Sequence, residues 1–355
     1  MNNRFNGAHK ASYLHHFNFL LLLVSAVFIM PLQAEESPVE KRVGVLYWSS
    51  TIEGQVAMRK GIEEVLEGSE VPIRYEPLVA GDGAQGIRNQ IKQMKAMVQS
   101  KPDIIIVQPT NNAVLKDSLI EANQHGIPVV AYDQYILGGT LASFVTSDNF
   151  QAGYLNGEYV ASSFDQEYEV KIVMVEYPSV SSTIDRVEGF LAALKNNSQR
   201  YKILKTYEAV EPVAGKIAGE TIIKDFPKRG SIDVVFSVND GGGLSMVTEL
   251  QKAKRFEILH ATVDGDPISI KNITKDKGIT QIDSAQFCAE LGRVTARTAL
   301  QILNGEKVPY QILVPTFPVT KETLQSYSGW YGIPINKLEL PWNQKNWEYK
   351  LKAKH

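Results

Sequence analysis

Beyond Arg42 the chain settles into an alternation of two hydrophobic periods. Short β-branched runs bounded by turn residues give way to segments in which apolar side chains recur at helical spacing. "RVGVLYW" reads as a first strand, Met58, Ile62, Val65 and Leu66 share one face of the helix after it, and "VPIRYEPLVA" reads as a second strand. Ile87, Ile91, Met94, Met97 and Val98 mark another helix, followed by "DIIIVQP", a helix through Leu119 and "IPVVAYD". Continuous apolar strands separated by amphipathic helices are the pattern of parallel βαβ units.

After "FVTSDN" a second series of similar size begins. It runs "VKIVMVEYP", the helix "TIDRVEGFLAAL", "YKILKTYEA", a helix, "DVVFSVND", a helix, "EILHATVDG" and "GITQIDSA". A long helix over Gln286 to Leu303 and the segment "VPYQILVPTFPVT" end it. The pattern predicts an α/β protein of two doubly wound parallel-sheet lobes. Loops at the carboxyl ends of parallel strands form the binding face of such sheets. Those loops carry Trp48, Ser49, Gln108, Asp133, Gln134, Asn239, Asp240, Asp264 and Asp283. Two such faces opposed across a hinge make a cleft.

The stretch "VAGDGAQGIRNQ" holds Gly81, Gly83 and Gly86 in a Gly-x-Gly-x-x-Gly spacing. That spacing cradles a dinucleotide when it follows the first strand and an acid ends the next one. Here it follows the second strand, and the strand it leads to ends at Gln108. The glycines therefore read as a flexible turn into a helix.

Composition changes the picture only at the ends. The 355 residues are 44% hydrophobic and 21% charged with net charge −2, which offers no basic face for nucleic acid. Arg4 and Lys10 precede the apolar run "NFLLLLVSAVFIM", and Ala34 supplies a small residue for cleavage, so residues 1–34 read as a secretory signal peptide and the mature protein as soluble and exported. Cys288, the single cysteine, sits mid-helix in "AQFCAEL" and excludes an internal disulfide. No Ser, Cys or His stands at the spacing of a nucleophile and base, and metal-ligand spacing is absent, so neither a catalytic set, a cofactor nor a metal is expected. Asp133, Asp264 and Asp283 would have to act as a carboxylate hydrolase alone for the chain to be an enzyme.

From about Arg42 to Thr320 the chain resembles the ribose/galactose-type periplasmic binding proteins. The resemblance rests on "PTNNAVLKDSLIEANQHGIPVVAYD", "TSDNFQAGYLNGEYVA", "DRVEGFLAAL", "DVVFSVNDGGGLSMVTELQKA" and "VDGDP", in that order. It implies lobes of residues 42–147 plus 284–313 and 148–283 plus 314–320, joined by three crossovers near Ser147, Asp283 and Val314. It also implies a small neutral polyol, most simply a monosaccharide, captured by hinge closure for an ABC permease. A second reading has the ligand, a sugar or an autoinducer, presented to a membrane sensor kinase.

Residue by residue, Asp133, Asn239 and Asp264 match the family's hydroxyl-binding positions. Gln134 and Ile184 stand where the family places ligand arginines, Arg186 matches a neighbouring structural arginine, and Asp283 replaces a glutamine. Gly54 and Gln55 fall on an aromatic pair, with Trp48 and Tyr47 offering a stacking surface from a shifted position. The expected ligand set is Trp48, Gln55, Gln108, Asp133, Gln134, Asn239, Asp264 and Asp283. Residues 321–355 extend beyond the resemblance and hold three of the four tryptophans, as a strap over the chain itself or a surface for a partner.

Overall fold

The computed structural model describes residues 39–355. The expected signal peptide, residues 1–34, lies outside them. Among the described residues no helix is long and apolar enough to cross a membrane.

The first sheet begins with β1 (Lys41–Tyr47), α1 (Glu53–Glu67), β2 (Ile73–Val79), α2 (Gly83–Ser100), β3 (Ile104–Val107), α3 (Lys116–Gln124), β4 (Val129–Tyr132) and β5 (Ser143–Ser147). The chain then crosses into α4 (Asn149–Ser162), β6 (Val170–Glu176), α5 (Ser181–Asn196), β7 (Tyr201–Glu208), α6 (Pro212–Asp225), β8 (Val234–Ser237), α7 (Asp240–Lys252), β9 (Leu259–Asp264), α8 (Pro267–Thr274) and β10 (Thr280–Ala285). It returns through α9 (Cys288–Leu303) and β11 (Gln311–Val314), crosses again into β12 (Phe317–Val319), and ends in β13 (Lys337–Glu339), β14 (Asn346–Glu348) and β15 (Lys352–Lys354).

The strand orders are β2-β1-β3-β4-β5-β11-β15 and β7-β6-β8-β9-β10-β12, with β13 and β14 forming a separate hairpin. Every pairing in the two large sheets is parallel except β10–β12 and β11–β15. Each large sheet is covered on both faces. Val45, Tyr47, Ile106 and Tyr132 pack under α1 and α9, while Leu46, Ile105 and Val107 face α2 and α3. In the second lobe Ile172 and Phe236 face α4 and α5, and Val173 and Val235 face α6 and α7. Burial on both faces is why these strands read as unbroken apolar runs.

Four of the second lobe's five helices start on side-chain caps, α5 being the exception. Asp148 Oδ1 accepts from Gln151 N at 2.9 Å, Asn239 Oδ1 from Gly242 N at 3.2 Å, and Asp266 Oδ1 from Ile268 N at 2.7 Å. Helices α4 and α5 meet at a reciprocal glycine contact. A Cβ on Gly153 would lie 1.8 Å from the Arg186 carbonyl oxygen and one on Gly189 would lie 2.0 Å from that of Phe150, so only glycine permits the approach.

Three details depart from the sequence pattern. The long helix starts at Cys288 rather than Gln286, because Gln286 and Phe287 span the second crossover. "VPYQILVPTFPVT" is two strands in different sheets, divided at Pro315, which has no amide hydrogen for a ladder. The glycines of "VAGDGAQG" build a tight turn rather than a flexible one. Gly81 and Gly83 take φ of 90° and 61°, and Gly86 leaves room for the Gly81 carbonyl, which would lie 1.8 Å from a Cβ there.

The lobes are joined at Ser147–Asn149, Ala285–Cys288 and Val314–Phe317, and these crossovers are bonded to one another. Ser147 Oγ donates to Gln286 Oε1 at 2.7 Å, and Thr316 N donates to Gln151 Oε1 at 2.9 Å. The C-terminal extension packs on all three. Lys352 pairs with Asp148, Tyr349 OH donates to Glu290 at 3.3 Å, and Trp347 Nε1 donates to the Thr316 carbonyl at 2.6 Å. The Trp347 ring meets Phe317 edge-on at 4.9 Å between centroids. Strand β15 then pairs with β11 at the edge of the first sheet, where Lys352 and Lys354 keep the new edge charged.

Trp347→Ala should therefore cost about 3–5 kcal/mol of unfolding free energy, for a buried aromatic and its satisfied donor. The half-buried Trp48 should cost clearly less on the same change. Chemical denaturation of the two variants checks this, and equal costs would mean that the extension does not brace the crossovers.

Candidate ligand-binding cleft

The carboxyl ends of both parallel sheets supply the polar side chains of the site. Gln108 follows β3, Asp133 follows β4, and Trp48 follows β1. Gln108 Nε2 donates to Asp133 Oδ2 at 2.9 Å, and its Oε1 accepts from Trp48 N at 3.4 Å, so the amide orients the acid. From the second lobe Asp264 ends β9, and Arg186 reaches it from α5. Arg186 Nη1 lies 3.0 Å from Asp264 Oδ1 and 2.8 Å from the Val238 carbonyl, while Nε donates to Asn149 Oδ1 at 2.9 Å. Gln286 Nε2 donates to the same Asp264 oxygen at 2.8 Å.

Asp133 and Asp264 both occupy positive φ, at 62° and 129°. A side-chain-bearing residue resists the second value in particular, and such strain of about 1–3 kcal/mol persists only where surrounding bonds hold it. Burial raises the pKa of both carboxyls above the usual range. Gln108 and the Arg186 charge oppose the rise at Asp133 while Asp264 adds to it, which places the two acids within electrostatic reach across the lobes. At Asp264 the Arg186 guanidinium and Gln286 work against burial.

Below the Asp264 turn lies a second acid pair. Asp240 accepts from Thr262 Oγ1 at 2.9 Å and from Asp266 N at 2.8 Å, and Asp283 Oδ1 accepts from Gly265 N at 2.9 Å. Burial, then the neighbouring charges of Asp283 and Asp264, raises the Asp240 pKa well above its ordinary value. Burial also pushes Asp283 up to about 6. These carboxyls clamp the backbone amides of the turn that presents Asp264.

The expected ligand set is thus brought together unevenly. Asp133, Asp264, Gln108 and the half-buried Trp48 gather at the strand ends. Asp283 belongs elsewhere: it is 0% exposed and turned to the Gly265 amide, so it supports the turn and does not face the cleft. Asn239 reaches the strand ends, but its amide caps α7 and donates to the Val210 carbonyl at 3.0 Å. Gln55 lies half-buried in the first turn of α1 with Oε1 unpartnered, and Gln134 sits in the turn after β4 with its backbone N–H donating to Tyr132 O at 2.7 Å. Tyr47 offers no stacking surface, being 1% exposed with its ring 5.0 Å from the Arg59 guanidinium. Gln286 was not among the expected residues. The resemblance places a glutamine at 283, and this chain carries one into the site three residues later, on the crossover.

Residues 43–307 match the family model described as periplasmic binding protein domain, and the chain belongs to that family, in its ribose/galactose type. Its members are substrate-binding components rather than enzymes. The chain is 25% identical over 246 residues to the ribose import binding protein of Escherichia coli (strain K12), covering 69% of this chain and 80% of that one. It is 28% identical over 206 residues to the galactofuranose-binding protein of the same strain, covering 56% and 64%. A solute binding protein of Bacillus halodurans C-125 with bound myo-inositol superposes with a TM-score of 0.70 at 22% identity, over 82% of this chain and 98% of that one.

Asp283→Asn tests the support role. The folded pKa of Asp283 is raised, so its stabilising contribution is complete below the unfolded value of about 4 and is lost as pH rises through about 6. At pH 7–8 the buried charge is a net cost, which asparagine removes while keeping an acceptor for Gly265 N. The variant should gain about 1–3 kcal/mol at pH 8 and little at pH 4. Thermal unfolding across that range is the measurement, and a loss of stability at pH 8 would contradict the assignment.

Proposed function

We propose that the protein captures a neutral monosaccharide or cyclic polyol between its two lobes in the periplasm and hands it to an ABC importer. One observation carries the reading: an acid from each lobe, Asp133 and Asp264, is presented at the strand ends and oriented by an amide, Gln108 and Gln286 respectively. Carboxylates held this way accept paired hydrogen bonds from vicinal hydroxyls, and the half-buried Trp48 offers an aromatic face for the apolar side of a sugar ring. Since the acids stand on different lobes joined by three short crossovers, a ligand satisfies both together only when the lobes close on it.

Charge selects among ligands. Arg186 is engaged by Asp264, the acids outnumber it two to one, and no cation stands at Gln134 or Ile184. A phosphate or uronate would meet unbalanced negative charge in a poorly solvated site. Import is preferred to presentation to a sensor kinase because relatives over most of the chain are ribose import binding proteins. The apolar run at Asn18 to Met30 supports export.

Calorimetric titration of D-ribose, D-galactose, D-allose, myo-inositol, their available phosphates and uronic acids tests the proposal. Neutral members should bind and anionic ones should not. Asp133→Asn keeps a side chain that tolerates positive φ and removes one charged acceptor, so affinity should fall about tenfold, or about 1.4 kcal/mol. Tight binding of a sugar phosphate, or an Asp133→Asn protein that binds like wild type, would overturn the assignment.

A further inference from the structure

The C-terminal extension brings Trp330 into the space between the lobes. Its carbonyl accepts from Ala289 N at 2.8 Å, in the first turn of α9, and its indole Nε1 donates to the Asp264 carbonyl at 2.7 Å. Its Cη2 and Cζ2 lie 3.7 and 3.8 Å from the point where a Cβ on Gly54 would stand, and Cys288 Sγ lies 3.5 Å from that point. Through its carbonyl and its ring this one residue therefore joins the first turn of α9, the first turn of α1 and the strand end that carries Asp264.

This position adjoins the strand end that carries Asp264. The Cys288 thiol is pushed up by burial and then by the charges of Asp264 and Asp133, with Arg186 acting the other way, so the contact between Cys288, Gly54 and Trp330 is within reach of all three charged groups. Gly54 contributes no side chain here, and the indole fills the volume that a larger residue on α1 would take. With its donor satisfied by Asp264 O, the indole is left as an apolar, flat surface beside the strand end. The residue is 9% exposed and packs in the same buried cluster as Met58 and Cys288.

We propose that Trp330 is a specificity-determining residue, forming the hinge-side wall of the ligand cleft and limiting the depth to which a sugar ring enters. The inference rests on the sugar-binding reading above. An aromatic wall at this point favours ligands with an apolar C–H face directed toward the hinge, and its depth restricts them to a single ring.

The test has two arms on the full chain. In the first, D-ribose, D-galactose, D-allose and myo-inositol are titrated into wild type, Trp330→Ala and the double variant Gly54→Phe with Trp330→Ala. Affinity should fall at least tenfold in Trp330→Ala and recover in part when the ring is restored from α1, because the two side chains compete for one volume. In the second, the protein is labelled with 5-fluorotryptophan and its four resonances are assigned by Trp→Phe substitutions. The Trp330 resonance should move on saturation with a sugar that wild type binds, whereas those of Trp342 and Trp347 should not. This arm decides the matter if Trp330→Ala does not fold. A wild type that binds none of the four would overturn the sugar reading and this inference with it. A wild type that binds while Trp330 stays unmoved, or a folded Trp330→Ala protein with unchanged affinity and ranking, would overturn the inference alone.

Discussion

The backbone of Asp264 sits at a φ of 129°, and most of what surrounds the cleft serves to keep it there. The carboxylate is held from one side by Arg186 and Gln286, and the two amides that follow it are held from beneath by Asp283 and Asp240. The main-chain oxygen is taken by Gln286 N and Trp330 Nε1. Arg186 in turn depends on the close seating of α5 on α4 through Gly153 and Gly189. A strained residue is thus over-determined by four separate segments of chain, and the result is an acceptor fixed before any ligand arrives. Preorganisation of this kind spares binding the cost of ordering the group.

The electrostatics follow from the same arrangement. Four carboxyls, at 133, 240, 264 and 283, lie within one another's electrostatic reach, and burial raises all four above their ordinary range. The lower pair answers by serving as acceptors for the backbone amides of Gly265 and Asp266. The upper pair answers by taking amide and guanidinium donors. Division of labour between chemically identical residues is set by what each can reach rather than by its type.

The layered fold was legible in the alternation of apolar strands and amphipathic helices, because strands covered on both faces leave an unbroken hydrophobic run. Which side chain of a strand end enters the cleft was less so. Tyr47 and Trp48 are neighbours, and successive side chains point to opposite faces, so when Tyr47 takes the core beneath α1 only Trp48 is left for the surface. The same parity turns Asp283 inward. Gln286 was hidden for a different reason: it lies where the chain leaves one sheet for the other, and no periodicity extends across such a point. Trp330 reaches the cleft from outside the repeating pattern altogether, so only the tertiary structure reveals its neighbours.

The path of the chain also governs assembly. The second lobe is spliced into the first, since β5 and β11 are hydrogen-bonded neighbours although the whole of the second lobe's main body lies between them. Pairing them across an unstructured segment of that length would demand loop-closure entropy that a folded insert supplies in advance. The bond between Ser147 and Gln286 shows that the insert's two ends meet. The second sheet in turn takes β12 from beyond β11, so neither sheet is complete until the chain has passed through the other lobe.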